Sequence, residues 1–227
     1  MPTHVRAQAD DVAAIVLLPG DPDRAERFAQ RHLATPRCYT SYRRLYGFTG
    51  DFQGQRVSIQ ATGMGCPSAA IVATELCDLG AQTLLRVGTC GALQPELALG
   101  DLVIATAACS LNASTSALVG FEGYAPHADF ELVRACAELA RARSQRAHTG
   151  CIGTADLFYD PRVELYEAVK RAGLLALEME ASAIFTIAAL RRRRAGCLLT
   201  VSDLIASQER MPAEALDAAI DRMLELG

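Results

Sequence analysis

The sequence predicts an α/β fold: one domain over residues 1–227, with a central, mixed, twisted β-sheet flanked by helices. Three observations carry this expectation. Short apolar runs of strand length alternate with amphipathic runs of helical period from one end of the chain to the other. The composition, 51% hydrophobic and 21% charged over 227 residues, is that of a chain able to close one large core. No Gly/Ser-rich or Pro-rich linker, low-complexity tract or internal repeat divides it.

Taken in order, AAIVLLPGDP reads as a short buried strand ending in Gly-Asp-Pro. Pro22 suits a first helical position, so a helix runs from there to about Leu33. YGFTGDF and QRVSIQAT, joined at Gln53-Gly54, form a hairpin. PSAAIVATELCDLG is a helix stopped by Gly80, and TLLRVGT is a buried strand. DLVIATAAC is a further strand, and DFELVRACAELARAR is an amphipathic helix with Asp129 as N-cap. HTGCIGTADLF is a strand running into a loop, followed by the helix VELYEAVKRAG. LEMEAS leads into an apolar helix, AGCLLTVSD is a strand, and PAEALDAAIDRMLEL closes the chain as a helix.

Charge and cysteine usage exclude several classes. A net charge of −4 argues against nucleic acid as a partner, because phosphate backbones demand a basic field. The basic block Arg191–Arg194 follows a helix and complements its dipole at a solvated end. The uncharged stretches 57–74 and 102–121 are broken by Ser, Thr, Asn, Gly or Pro, so no membrane span is expected. The N-terminal MPTHVRAQADDV has no apolar signal core, and the eight cysteines contain no CxxC pair. Together these predict a cytoplasmic protein with reduced thiols. The four histidines are scattered, so no metal site is expected.

Polar residues at the ends of the strands mark a site, since ligands of open α/β sheets gather there. In GDPDR, Gly20 permits close backbone approach, the helix starting at Pro22 offers free N–H groups, and Arg24 adds a cation: an anion site or simply a capped turn. In LLRVGTCGAL, Arg86 lies inside a buried strand, followed by Gly88 and Thr89. GTCGAL is not GxGxxG, which excludes the dinucleotide fingerprint. Arg86 with Thr89 reads as a clamp for one phosphate, or Arg86 as half of a core salt bridge.

LEMEAS places Glu178 and Glu180 inside an apolar run, where a bare carboxylate costs several kcal/mol. On a helix, residues two apart diverge by roughly 200°, whereas in extended chain both project to one side. The extended geometry makes an acidic claw beside Met179, suited to a sugar diol. In the alternative, one Glu caps the next helix and the other pairs with arginine. Finally, Ser202-Asp203 ends a buried strand, where an aspartate serves as a general acid or as a cap.

LLPGDPDRA, YGFTGDF, TGMGCPSAAI, RVGTCGAL, GDLVIATAA, TADLFYDP, LEMEASAIF and TVSD occur in that order. As a set they resemble the nucleoside phosphorylases of the hexameric bacterial type, purine- and uridine-specific, from about His4 to Asp203. The resemblance implies a phosphate site at Gly20, Arg24, Arg86, Val87, Gly88 and Thr89, with Arg43 reaching the phosphate of a neighbouring subunit. It implies that a neighbour lends His4 to the ribose 5'-hydroxyl. Glu178, Met179 and Glu180 grip the sugar, with Glu180 the principal diol acceptor, and Met64 and Phe158 wall the ribose and base.

FYDPRVELYE lacks the Gln-Glu-Arg-Tyr-Asp run with which uridine members read uracil, while Ser202-Asp203 matches the purine members. The implied reaction is phosphorolysis of purine (deoxy)ribonucleosides with Asp203 as general acid. It uses inorganic phosphate as co-substrate and neither metal nor organic cofactor, in a homo-oligomer whose dimers share their sites and stack into a hexamer. Purine members also carry an arginine on the final helix. Here that stretch holds Ala215 and Leu216, leaving Arg210 in the preceding loop. A uridine phosphorylase, a nucleosidase and a non-catalytic nucleoside-binding protein of the same fold are the alternatives.

Overall fold

Strand β1 (Ile15–Leu18) runs parallel to its two neighbours, β4 (Gln55–Gln60) and β5 (Thr83–Ala92), and these three form the middle of a mixed sheet. The computed structural model describes residues 2–227. Outward from β4 the sheet continues antiparallel through β3 (Gly47–Phe52) to β2 (Ala34–Thr40). On the other side, β5 pairs with both β8 (Ala176–Glu178) and β9 (Arg194–Leu204). Between these lie β6 (Leu102–Ser110) and β7 (Ala147–Thr154), so β5, β9, β6, β7 and β8 close into a ring. A two-residue strand, β10 (Glu209–Arg210), folds back on the end of β9.

The helices cover both faces, because β5 is buried along nearly its whole length and its side chains alternate between two cores. On one face, Leu84 and Cys90 pack in the core of α2 (Cys66–Asp78) and α6 (Ala181–Leu190), which contributes Ile184 and Phe185. On the other, Leu85 and Val87 pack with Phe28 of α1 (Pro22–His32) and with Ile220 and Met223 of α7 (Ala213–Leu224). Every residue from Ala181 to Ala188 is buried, which explains a helix that is apolar all round.

Several local expectations hold. Asp129 caps α4 (Phe130–Ala142), accepting from Leu132 N–H at 3.1 Å, and Pro22 opens α1, where Asp21 adds a cap by accepting from Asp23 N–H at 2.9 Å. The β3–β4 hairpin turns on Gln53 and Gly54, both at positive φ (54° and 83°), as a two-residue turn of right-handed strands requires. The basic block lies at the surface: Arg191 caps the end of α6 and pairs with Asp78 at 2.6 Å. Three elements escape the sequence reading: β2, α3 (Ser114–Val119) and β10. Among the described residues no helix is long and apolar enough to cross a membrane, no metal-ligating cluster of His, Cys, Asp or Glu forms, and all eight cysteines are free thiols.

Candidate active site

The C-terminal ends of β1, β5, β8 and β9 open into one cavity of about 940 Å3. From β5, Arg86, Gly88, Thr89, Cys90 and Gly91 line the cavity, whereas Val87 is fully buried in the opposite core. The Val87 side chain is therefore a core group.

Arg86 is 4% exposed, and its guanidinium is held on two edges. Nε donates to Glu178 Oε2 at 2.9 Å, and Nη2 pairs with Glu180. Burial works against the charge, but Glu180 and Glu178 outweigh it and raise the Arg86 pKa above its ordinary value. Among the described residues the third nitrogen, Nη1, is buried without a partner. It lies over Gly88, where a Cβ would stand 2.7 Å from it. Arg86 is thus part of a core ion-pair cluster, with one donor left over.

The acidic claw also resolves into two roles. β8 delivers Glu178 in extended chain, and Glu180 follows as the residue before α6. Glu178 accepts from Arg86 Nε, from Thr154 Oγ1 at 2.5 Å, from Glu180 N–H at 2.8 Å and from Ala181 N–H at 3.0 Å. Four donors fill the four acceptor positions of a carboxylate. Glu178 thus caps α6 and pins Arg86 from the lining of the cavity. Glu180 accepts from Gly65 N–H, at 2.6 Å, and from Arg86, fewer side-chain and backbone donors than Glu178 has, and it lines the cavity. Burial pushes the Glu180 carboxyl up, with Arg86 pulling it down.

Next to this cluster, Gly20 passes so close to the chain that a Cβ there would stand 3.2 Å from Gly63 O. Arg24, one turn into α1, faces the cavity with its Nε 3.4 Å from Asp21. Burial holds the Arg24 pKa below its ordinary value, Asp21 opposes this, and the cation at Arg86 adds to it. Thr89 completes this corner.

At the other end of the cavity, β9 carries a bulge. Cys90 lies opposite Val201 and Gly91 opposite Asp203, so Ser202 is the extra residue. The bulge re-aims Asp203 into the cavity. Asp203 Oδ1 accepts from Ser202 Oγ at 2.8 Å, and Oδ2 lies over Gly91, where a Cβ would come within 2.7 Å. Arg210 of β10 is the direct cross-strand partner of Asp203, and its guanidinium stands 5.5 Å from the Phe158 ring centroid. Phe158 and Met64 are exposed walls of the same cavity, and Met179 lies between the two glutamates on its lining.

The family model of the phosphorylase superfamily matches residues 14–226. The chain belongs to the phosphorylase superfamily. It is 41% identical over 227 residues to a protein of Jannaschia sp. (strain CCS1) named purine nucleoside phosphorylase DeoD-type, covering all of this chain and 97% of that protein. Proteins of the same name from Roseobacter denitrificans and Brevibacillus brevis are each 40% identical over 227 residues, with the same coverage.

In this phosphorylase-superfamily chain, three of the sequence-predicted residues, Val87, His4 and Arg43, lie outside the cavity lining. His4 is tied to Glu75 of α2, with Nδ1 3.0 Å from Oε1, and Arg43 is exposed on a short 3-10 turn with φ 55°. Neither lines the cavity of its own chain. Among the described residues, the arginines that line it are Arg24, Arg86 and Arg210, and α7 contributes none. The sequence reading missed Thr154 and Gly65, the donors that settle which glutamate is free. Buried polar groups in apolar strands were the only signal for them, and that signal names no partner.

Proposed function

We propose that this chain catalyses the phosphorolysis of purine ribo- and deoxyribonucleosides to the free base and pentose 1-phosphate. One observation carries the reading. A single cavity joins an unpartnered guanidinium donor, a carboxylate with acceptor capacity, and an aspartate aimed inward by a bulge. The full-length similarity to proteins named purine nucleoside phosphorylase supports it.

Phosphate binds at Arg86 Nη1, Arg24, Thr89 and the backbone near Gly20, which holds its oxygen against C1'. Glu180 accepts from the sugar hydroxyls, and Met179, Met64 and Phe158 enclose ribose and base. As phosphate oxygen bonds to C1', the C1'–N9 bond breaks and its electron pair passes to the purine. The protonated form of Asp203 delivers its proton to N7, so the base leaves neutral and Asp203 is left as carboxylate. Such proton transfer contributes roughly 10²–10⁴-fold. Arg210, directly across from Asp203, offers that carboxylate a cation. The reaction needs no metal or organic cofactor.

His4 and Arg43 serve a neighbouring copy in this reading. They lie away from their own cavity, and the surface around Arg43 is free to meet another chain. The assembly is a dimer with shared sites that stacks into a hexamer, working in cytoplasmic purine salvage. The test is turnover of inosine and uridine with and without phosphate. Inosine cleavage that requires phosphate, with little uridine cleavage, is expected. Equal rates without phosphate mean hydrolysis, uridine turnover matching inosine means the base is wrong, and binding without turnover means the protein is not an enzyme.

A further inference from the structure

Glu75 lies on α2, outside the cavity, and one carboxylate there gathers donors from three consecutive residues of the N-terminal segment. Thr3 N–H reaches Oε1 at 3.0 Å, Val5 N–H reaches Oε2 at 2.6 Å, and His4 N–H lies between them at 3.1 and 2.9 Å. His4 Nδ1 adds a fourth donor, 3.0 Å from Oε1. Successive N–H groups converging on one anion form a nest, which orients the chain that supplies them. The segment is pinned a second time by Arg6, whose guanidinium carbon lies 3.3 Å from the Tyr42 ring centroid.

This geometry decides which ring nitrogen of His4 faces the carboxylate. Partial burial works to raise the Glu75 pKa, but the N–H groups of Val5, His4 and Thr3 and the His4 ring outweigh it and hold it below the ordinary carboxylate value. An ionised carboxylate only accepts, so Nδ1 must carry the proton facing it. In the neutral ring Nε2 is then an acceptor, and the hydrogen bonds among the described residues leave it free.

We propose that Glu75 is a positioning residue that fixes His4 with Nδ1–H inward and Nε2 outward as a hydrogen-bond acceptor. This rests on the reading that His4 meets the 5'-hydroxyl in a neighbour's site. An acceptor at that place demands a donor, so the pair selects nucleosides that carry a free 5'-hydroxyl over those that lack it. A site built to hydrogen-bond a substrate hydroxyl discriminates against the analogue without it, because its own polar group is left unpaired.

The experiment compares inosine with 5'-deoxyinosine in the assembled protein and in Glu75→Gln, which keeps the shape but offers one acceptor oxygen in place of two. Glu75→Gln should raise KM for inosine about tenfold, the worth of one hydrogen bond, with KM for 5'-deoxyinosine unchanged. In a His4→Ala background the same substitution should add nothing to the inosine loss. Equal losses on both nucleosides, or a full additional loss in the His4→Ala background, overturn the proposal. Ring-nitrogen NMR of the histidines gives a readout independent of turnover: wild-type His4 should show a protonated Nδ1 and a bare Nε2. A protonated Nε2 in the neutral ring overturns the proposal even if phosphorolysis is intact. Absent phosphorolysis with the expected tautomer overturns the underlying activity instead, so the two failures are told apart.

Discussion

Gly88→Ala is the sharpest probe of the phosphate corner. The substitution adds one methyl group on a strand residue with ordinary backbone geometry, so the backbone tolerates it. The new Cβ would stand 2.7 Å from Arg86 Nη1 and 2.9 Å from Cζ. Ordinary contact begins near 3.4 Å, so the guanidinium has to retreat by about 0.7 Å. It cannot retreat freely, because Glu178 and Glu180 hold its other two nitrogens. The donor lost to phosphate is therefore the one that has no partner among the described residues. A hydrogen bond from a charged group contributes about 1.5–3 kcal/mol, so KM for phosphate should rise roughly 10- to 150-fold. Crowding of the ion cluster should also cost about 1–3 kcal/mol of stability, lowering Tm by several degrees in a chain of this size. Steady-state kinetics with phosphate varied at saturating inosine, alongside thermal unfolding, reads both. A lower Tm with KM for phosphate unchanged would refute the assignment of Nη1 to phosphate and leave Arg86 a purely structural ion pair.

Two other perturbations test the remaining parts of the site. Asp203→Asn keeps the hydrogen bond with Ser202 in reach but cannot deliver a proton, so inosine cleavage should fall roughly 10²–10⁴-fold while a 7-methylated purine nucleoside, whose base leaves without protonation, is spared; a uniform loss on both means that Asp203 only holds structure. Arg43→Ala and Arg86→Ala subunits, each weak alone, should regain activity when unfolded together and reassembled, because some cavities then draw both arginines from intact copies; mixed oligomers without recovered activity rule out a shared site.

Much of the fold and part of the site were legible in the residues, and the division follows the range of the forces involved. The strand β1, the helix α1 opened by Pro22, the Gln53-Gly54 hairpin and the Asp129 cap of α4 are set by neighbours a few positions apart, which a linear sequence displays. The strand β2 escaped because six of its seven residues are exposed or half-buried and it contains Pro36, so it has no apolar alternation to read. β10 is two residues long and exists only through its pairing with Leu204 and Asp203. The residue types of the site were visible too: an arginine in a buried strand, two glutamates in an apolar run, an aspartate at a strand end.

What only the tertiary structure decided is how those groups share their partners. Glu178 and Glu180 are the same residue type two positions apart, and nothing local distinguishes them. Thr154 and the N-terminus of α6 saturate the first, while Gly65 and Arg86 leave the second with capacity. Val87 was assigned with its loop, although strand alternation sends its side chain to the opposite core. The β9–β5 pairing joins residues more than a hundred positions apart, and its bulge at Ser202 turns Asp203 inward. Hydrogen-bond capacity is finite and is claimed by whichever donors the fold brings near. The sequence states which groups are present, and the packed chain states which of them remain unclaimed.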